Sequence, residues 1–119
     1  MLQWVQSARS AALAFAIVSI GVVQADGWRA LTGEEISAAL SERNLQYPSA
    51  KQLFYASGRT LYDAGGPSWG RWRVQGDQYC SVWPPHGNWA CYDVFIDSAA
   101  ARIRFVGAGN DVSVGEYVE

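Results

Sequence analysis

Along most of the chain polar and apolar residues alternate one by one, which is the period of a strand with one buried face. In Trp69-Gly70-Arg71-Trp72-Arg73-Val74 one face carries Gly70, Trp72 and Val74, and the other carries Arg71 and Arg73. In Arg102-Ile103-Arg104-Phe105 the apolar pair faces in and the arginines face out. Leu53 and Tyr55 oppose Gln52 and Phe54 less cleanly, so that strand is expected to be covered on both sides. Turn-forming residues punctuate these runs at Ser57-Gly58, Gly65-Gly66-Pro67-Ser68, Gly76-Asp77, Pro84 to Asn88, Asp97 to Ala101 and Gly107 to Asp111. The pattern predicts strands over 51–56, 60–64, 69–75, 78–83, 89–96, 102–106 and 112–118, with a short piece at 45–47. Such short connections imply an antiparallel meander, because a parallel crossover needs a dozen or more residues.

One segment has a different period. Thr32 and Glu35 form a capping box, Leu31 and Ile36 supply its hydrophobic staple, and Ile36, Ala39 and Leu40 recur at helical spacing. A helix over 33–43 follows, with Asn44 as a left-handed terminator. The expected fold is mainly β: a small antiparallel meander of seven or eight short strands, curved or closed into a barrel. The N-terminal helix packs on it against one opening. Strands this short in an eight-stranded closure leave an interior just wide enough for side chains. Leu61, Trp72, Val74 and Phe105 are expected to fill it.

The start of the chain has a different pattern. Arg9 is the only charged residue before an apolar run from Ser10 to Val23, and Val23-Gln24-Ala25 precedes Asp26. That order reads as a secretory signal peptide over 1–25, cleaved after Ala25, leaving one domain over 26–119. The run is too short for a spanning helix, which needs about 20 apolar residues, so no stable membrane anchor is expected after cleavage. The whole chain of 119 residues is 50% hydrophobic and 13% aromatic with a formal charge of −2, which excludes disordered and coiled-coil classes. Losing Arg9 makes the charge one unit more negative, and a general nucleic-acid binder needs the opposite balance.

Export sets the chemistry of the two cysteines. In an oxidising compartment an even count reads as a disulfide. Pairing Cys80 with Cys91 across adjacent antiparallel strands sets a register in which Val82 faces Trp89 and Trp83 faces Asn88, leaving a loop of Pro84 to Gly87. The spacing fits neither a C-x-x-C redox motif nor paired zinc knuckles.

Catalytic chemistry finds little support. The sole histidine, His86, lies between Pro85 and Gly87 on a loop tip, with no nucleophile placed beside it by sequence. Asp63, Asp77, Asp97 and Asp111 sit at turns, where carboxylates cap backbone amides. No enzyme activity, catalytic residue, metal site or cofactor is expected. Two surfaces remain as binding candidates. The first is the tip Trp83-Pro84-Pro85-His86-Gly87-Asn88-Trp89, where Trp83, Pro85, His86, Asn88 and Trp89 form a stiff, disulfide-based contact loop with little entropy to lose on docking, unless both indoles instead cover the barrel end and fill the core. The second is a pair of outward arginine pairs, Arg71 with Arg73 and Arg102 with Arg104. On adjacent strands these would make a stripe for an anionic envelope component, or pair with Asp63, Asp93 or Glu116 on a solvated face.

The order Leu31-Thr32-Gly33-Glu34-Glu35-Ile36, Tyr62-Asp63, Gly70 to Pro84 and Cys91-Tyr92 resembles a family of small exported proteins of unknown function from Gram-negative bacteria. It carries a G-x-W…G-D-x-x-C-x-x-W…C-Y pattern over nearly all of the exported domain. The resemblance implies a periplasmic or secreted location and no activity. Gly70-Arg71-Trp72 also resembles the G-x-W of lipocalins, although there the motif sits on the first strand and here it is mid-chain. A single-disulfide small barrel is similar to the periplasmic metalloprotease inhibitors. The functional expectation is a non-enzymatic, inhibitor-like interaction module that binds an unknown envelope protein or ligand. The alternative is a lipocalin-like carrier of a small apolar ligand.

Overall fold

The computed structural model describes residues 27–118, so the expected leader over 1–25 lies outside the described residues. Strand β1 (Arg29–Ala30) and helix α1 (Gly33–Leu40) lead into an eight-stranded meander. Its strands are β2 (Arg43–Tyr47), β3 (Ala50–Phe54), β4 (Arg59–Asp63), β5 (Pro67–Gln75), β6 (Gln78–Val82), β7 (Ala90–Asp97), β8 (Arg102–Val106) and β9 (Val112–Val118). Each pairs antiparallel with the next, and β2 pairs with β9 through Asn44–Val118 to Gln46–Glu116, which closes the sheet into a barrel. β1 lies outside this ring, paired with the far end of β7 at Ile96 and Phe95.

The alternation in the sequence sorts the two faces. Gly70, Trp72, Ile103 and Phe105 are buried inside, while Arg71 and Arg73 are exposed. Phe54, fully buried, is the hub of the filled half of the barrel. Its ring meets Trp72 and Tyr79 edge-on and stacks with Phe105. On β3 the inward pair is Gln52 and Phe54. Leu53 is half-buried on the other face beside Leu61 of β4, which itself faces Trp69 of β5. Leu61 therefore does not fill the interior as expected. The inward residues of β4 are Thr60 and Tyr62, and Leu61 joins an apolar patch on the outer wall.

Helix α1 covers one opening, against β2, β5 and β6. Its capping box is formed, with the Glu35 backbone N–H donating to Thr32 and the Thr32 N–H donating to the Glu35 carboxylate. The buried side chains are Ile36 and Leu40 on the helix and Leu31 before it. Gly33 sets how closely the helix approaches: a Cβ there would lie 2.1 Å from the Gly76 carbonyl oxygen. The Gly33 N–H donates to Asp77 at 2.8 Å, tying the first turn to the β5–β6 hairpin. At the other end Tyr117 donates its hydroxyl proton to the Ala39 carbonyl at 2.8 Å. The helix ends at Leu40, three residues before the expected Arg43. Glu42, not Asn44, takes the left-handed conformation at φ 60°, because Arg43 and Asn44 are already paired with Phe54 and Leu53 in β2.

Candidate functional site

Away from α1 the barrel is not full. The connections 48–49, 64–66, 83–89 and 107–111 surround the opposite opening, and beneath them lies a cavity of about 380 Å³. The sequence-based expectation of an interior filled throughout is therefore corrected. Aromatic residues fill the half near α1, but the half near the mouth carries small inward residues such as Ser81 and Ser113. The cavity walls are the rings of Tyr47, Tyr62, Trp83, Tyr79, Tyr92 and Phe105, and its polar floor includes Gln52 and Ser81. Pro48 and Val112 to Val114 form the rim.

The two indoles of the β6–β7 tip part company. Trp83 continues the inward parity of Tyr79 and Ser81, lies across β5 and meets Tyr62 edge-on. It lies there because residue 70 is glycine: a Cβ at Gly70 would come within 2.4 Å of the Trp83 ring. Trp89 lies on the outer wall with the Arg73 guanidinium 3.9 Å above its ring. Pro85, His86 and Asn88 are exposed, and His86 donates its backbone N–H to the Trp83 carbonyl at 3.0 Å. The Pro84–Pro85 peptide is cis. Below the tip, Cys80 and Cys91 are joined in the expected register, with Ser81 opposite Ala90 and Tyr79 opposite Tyr92. The ladder stops at Ser81–Ala90, so the connection runs from Trp83 to Trp89 and is longer than the expected four residues.

The four arginines do not form one stripe. Arg71 and Arg73 are on β5, Arg102 and Arg104 on β8, and β6 and β7 lie between. Arg102 pairs with Asp97 at 2.9 Å rather than with Asp63, Asp93 or Glu116, and both β8 arginines stack on Trp28. The Arg102 hydrogen bond holds the Asp97 carboxyl below the usual carboxylate range. Turn carboxylates cap as expected: Asp63 accepts from Gly65 N–H and Asp97 from Ala100 N–H. Among the described residues no group of three or more His, Cys, Asp or Glu side chains could hold a metal ion.

The cavity floor is a continuous hydrogen-bond network. Tyr47 donates to Gln52 Oε1 at 2.8 Å, and Gln52 Nε2 donates to Thr60 Oγ1 at 3.0 Å and to the Tyr79 oxygen at 3.2 Å. Thr60 donates onward to the Leu53 carbonyl at 2.8 Å. Burial raises the Tyr47 hydroxyl pKa far above that of a free phenol, and pushes Tyr79 up to about 12. Tyr92 is also raised, first by burial and then by Asp111 beside it. A phenol with a folded-state pKa above its unfolded value contributes stability that is complete below the unfolded pKa of about 10. That contribution is lost as pH rises toward the folded value. Tyr79 alone should therefore remove roughly 2–3 kcal/mol of stability between about pH 10 and 12. Urea unfolding at about pH 9 and pH 11.5 checks it: the midpoint falls, and the fall shrinks in Tyr79→Phe.

Sequence reasoning missed Tyr47, Gln52, Tyr62, Tyr79, Ser81 and Tyr92 as site residues. Comparison with known proteins finds no matching family model, curated protein or solved structure.

Proposed function

We propose that this protein is an exported, non-enzymatic binding protein that takes a small molecule into the barrel end opposite α1. The observation that carries the reading is the 380 Å³ cavity itself, walled by six aromatic side chains and floored by polar groups. Ligand sites are typically clefts of about 300–1,000 Å³, mostly apolar, with a few placed polar groups. The carrier reading is thus favoured over an interaction module working through the tip alone. The tip contributes through Trp83 at the cavity wall, while Pro85, His86 and Asn88 stand outside it. The Cys80–Cys91 bond fits an oxidising compartment. No helix among the described residues is long and apolar enough to cross a membrane.

The neutral dye N-phenyl-1-naphthylamine provides the test. Its fluorescence should rise on mixing with the folded protein and quench Trp83. Ser113→Trp fills the rim from an exposed position and should weaken dye binding by about tenfold or more, equivalent to at least ~1.4 kcal/mol, with the melting temperature little changed. Equal dye affinity in that variant would place the dye elsewhere and end the cavity reading.

A further inference from the structure

The floor network has a polarity, and one backbone carbonyl fixes it. Thr60 has a single hydroxyl proton, and it is committed to the Leu53 carbonyl. Thr60 Oγ1 must therefore accept from Gln52, which points Gln52 Nε2 toward Thr60 and Oε1 toward Tyr47. The Tyr47 proton is in turn committed to Oε1, so the Tyr47 oxygen can only accept from anything in the cavity. Proton counting gives the opposite result next door. The Tyr79 oxygen accepts from Gln52 Nε2, a bond that leaves its own proton unused, and Ser81 lines the cavity beside it on the same face of β6. Tyr79 and Ser81 carry one hydroxyl proton each, and a bond between them would use only one, so at least one O–H is left over. The cavity floor thus presents an acceptor at Tyr47 and a donor at Tyr79 and Ser81, on either side of Gln52, while Tyr62, Trp83, Tyr92 and Ser113 line the rest of the cavity. No Lys, Arg, His, Asp or Glu side chain lines it.

We propose that the ligand is an uncharged amphiphile whose polar end carries one hydrogen-bond donor and one acceptor side by side, as in a carboxamide or lactam. The assignment rests on the cavity-binding reading above. The ligand N–H meets the Tyr47 oxygen, its carbonyl accepts from the Tyr79–Ser81 pair, and its apolar body lies among the six rings toward the mouth. An ionised carboxylate would meet neutral donors but no cation, and burying an uncompensated charge is far costlier than burying an amide whose partners are present. A ketone would leave the Tyr47 lone pair unmet.

Three probes share one aromatic body: naphthalene-2-carboxamide, 2-acetylnaphthalene and 2-naphthoate. Titrated calorimetrically at about pH 7, the carboxamide should bind tightest. The ketone should be about tenfold weaker and the carboxylate about a hundredfold weaker, since a buried partner left unmet costs more than a hydrogen bond yields. Tyr47→Phe, with folding checked by its melting temperature, should erase the carboxamide-over-ketone preference. A carboxylate that binds as well as the carboxamide, or a carboxamide no better than the ketone in the native protein, overturns the assignment. So does failure of all three probes where the neutral dye binds, a result that leaves the cavity reading standing. If Tyr47→Phe does not fold, the native series alone decides. If the dye also fails to bind, both readings fall together.

Discussion

Trp72→Ala should destabilise the domain by about 3–5 kcal/mol, the range for deleting a large buried aromatic side chain. Trp72 is 7% exposed, meets Phe54 edge-on and packs against Tyr79. Its Nε1–H donates to the Tyr55 carbonyl at 2.9 Å, so the indole also satisfies the chain just past β3. A domain of this size has a total stability of about 5–14 kcal/mol at 0.05–0.15 kcal/mol per residue, so this loss takes about a fifth of it at the least and nearly all of it at the most. Trp72→Phe separates the two contributions. It keeps an aromatic ring beside Phe54 but leaves the Tyr55 carbonyl without its donor, which should cost about 1–3 kcal/mol. Urea unfolding of both variants measures the difference. A Trp72→Ala protein within 1 kcal/mol of the native one would mean that the core closes without this side chain.

Much of this architecture is legible in the sequence because strand period and turn residues are local signals. Gly70-Arg71-Trp72-Arg73-Val74 states its own inner face, and the cysteine pair states the β6–β7 register, which the barrel keeps from Gln78–Asp93 to Ser81–Ala90. The capping box of Thr32 and Glu35 marks the helix start for the same reason. The helix end was less legible, because Glu42 rather than Asn44 turns the chain. There the demand of β2 for Arg43 and Asn44 overrides the residue preference for the left-handed region. Strand period alone does not place Leu61, because β4 offers apolar residues on both faces. Only the cross-strand partners Leu53 and Trp69 decide which one is outside.

The cavity was illegible for a different physical reason. Empty volume is a sum over eight strands, and no single segment records it. A signal did exist in the parity of Tyr79, Ser81 and Trp83, which puts the tip tryptophan on the inner face, and in Gly70 and Ser113 as inward residues without bulk. Gln52 and Thr60 gave another, since two polar residues on the buried face of adjacent strands require each other as partners. That pair anchors the hydrogen-bond direction on which the ligand assignment depends.

Removing the disulfide, as Cys80→Ala with Cys91→Ala, should cost about 3 kcal/mol by constraining the unfolded chain less. At 4–8 °C per kcal/mol for a domain of this size, that lowers the melting temperature by roughly 12–24 °C. The ladder from Gln78–Asp93 to Ser81–Ala90 holds β6 and β7 together without the sulfur bridge, and Trp83 is held by Tyr62 and by the space over Gly70. The folded variant should therefore bind the neutral dye about as well as the native protein at a temperature well below its melting point. A tenfold loss of dye affinity there would show that the bridge also shapes the rim in the native state. An unchanged melting temperature would show that the β6–β7 hairpin is already restricted in the unfolded chain. In either case the dye titration and the melting curve report separate things. The first reads the position of Trp83 at the mouth, and the second reads the entropy of the chain that carries it.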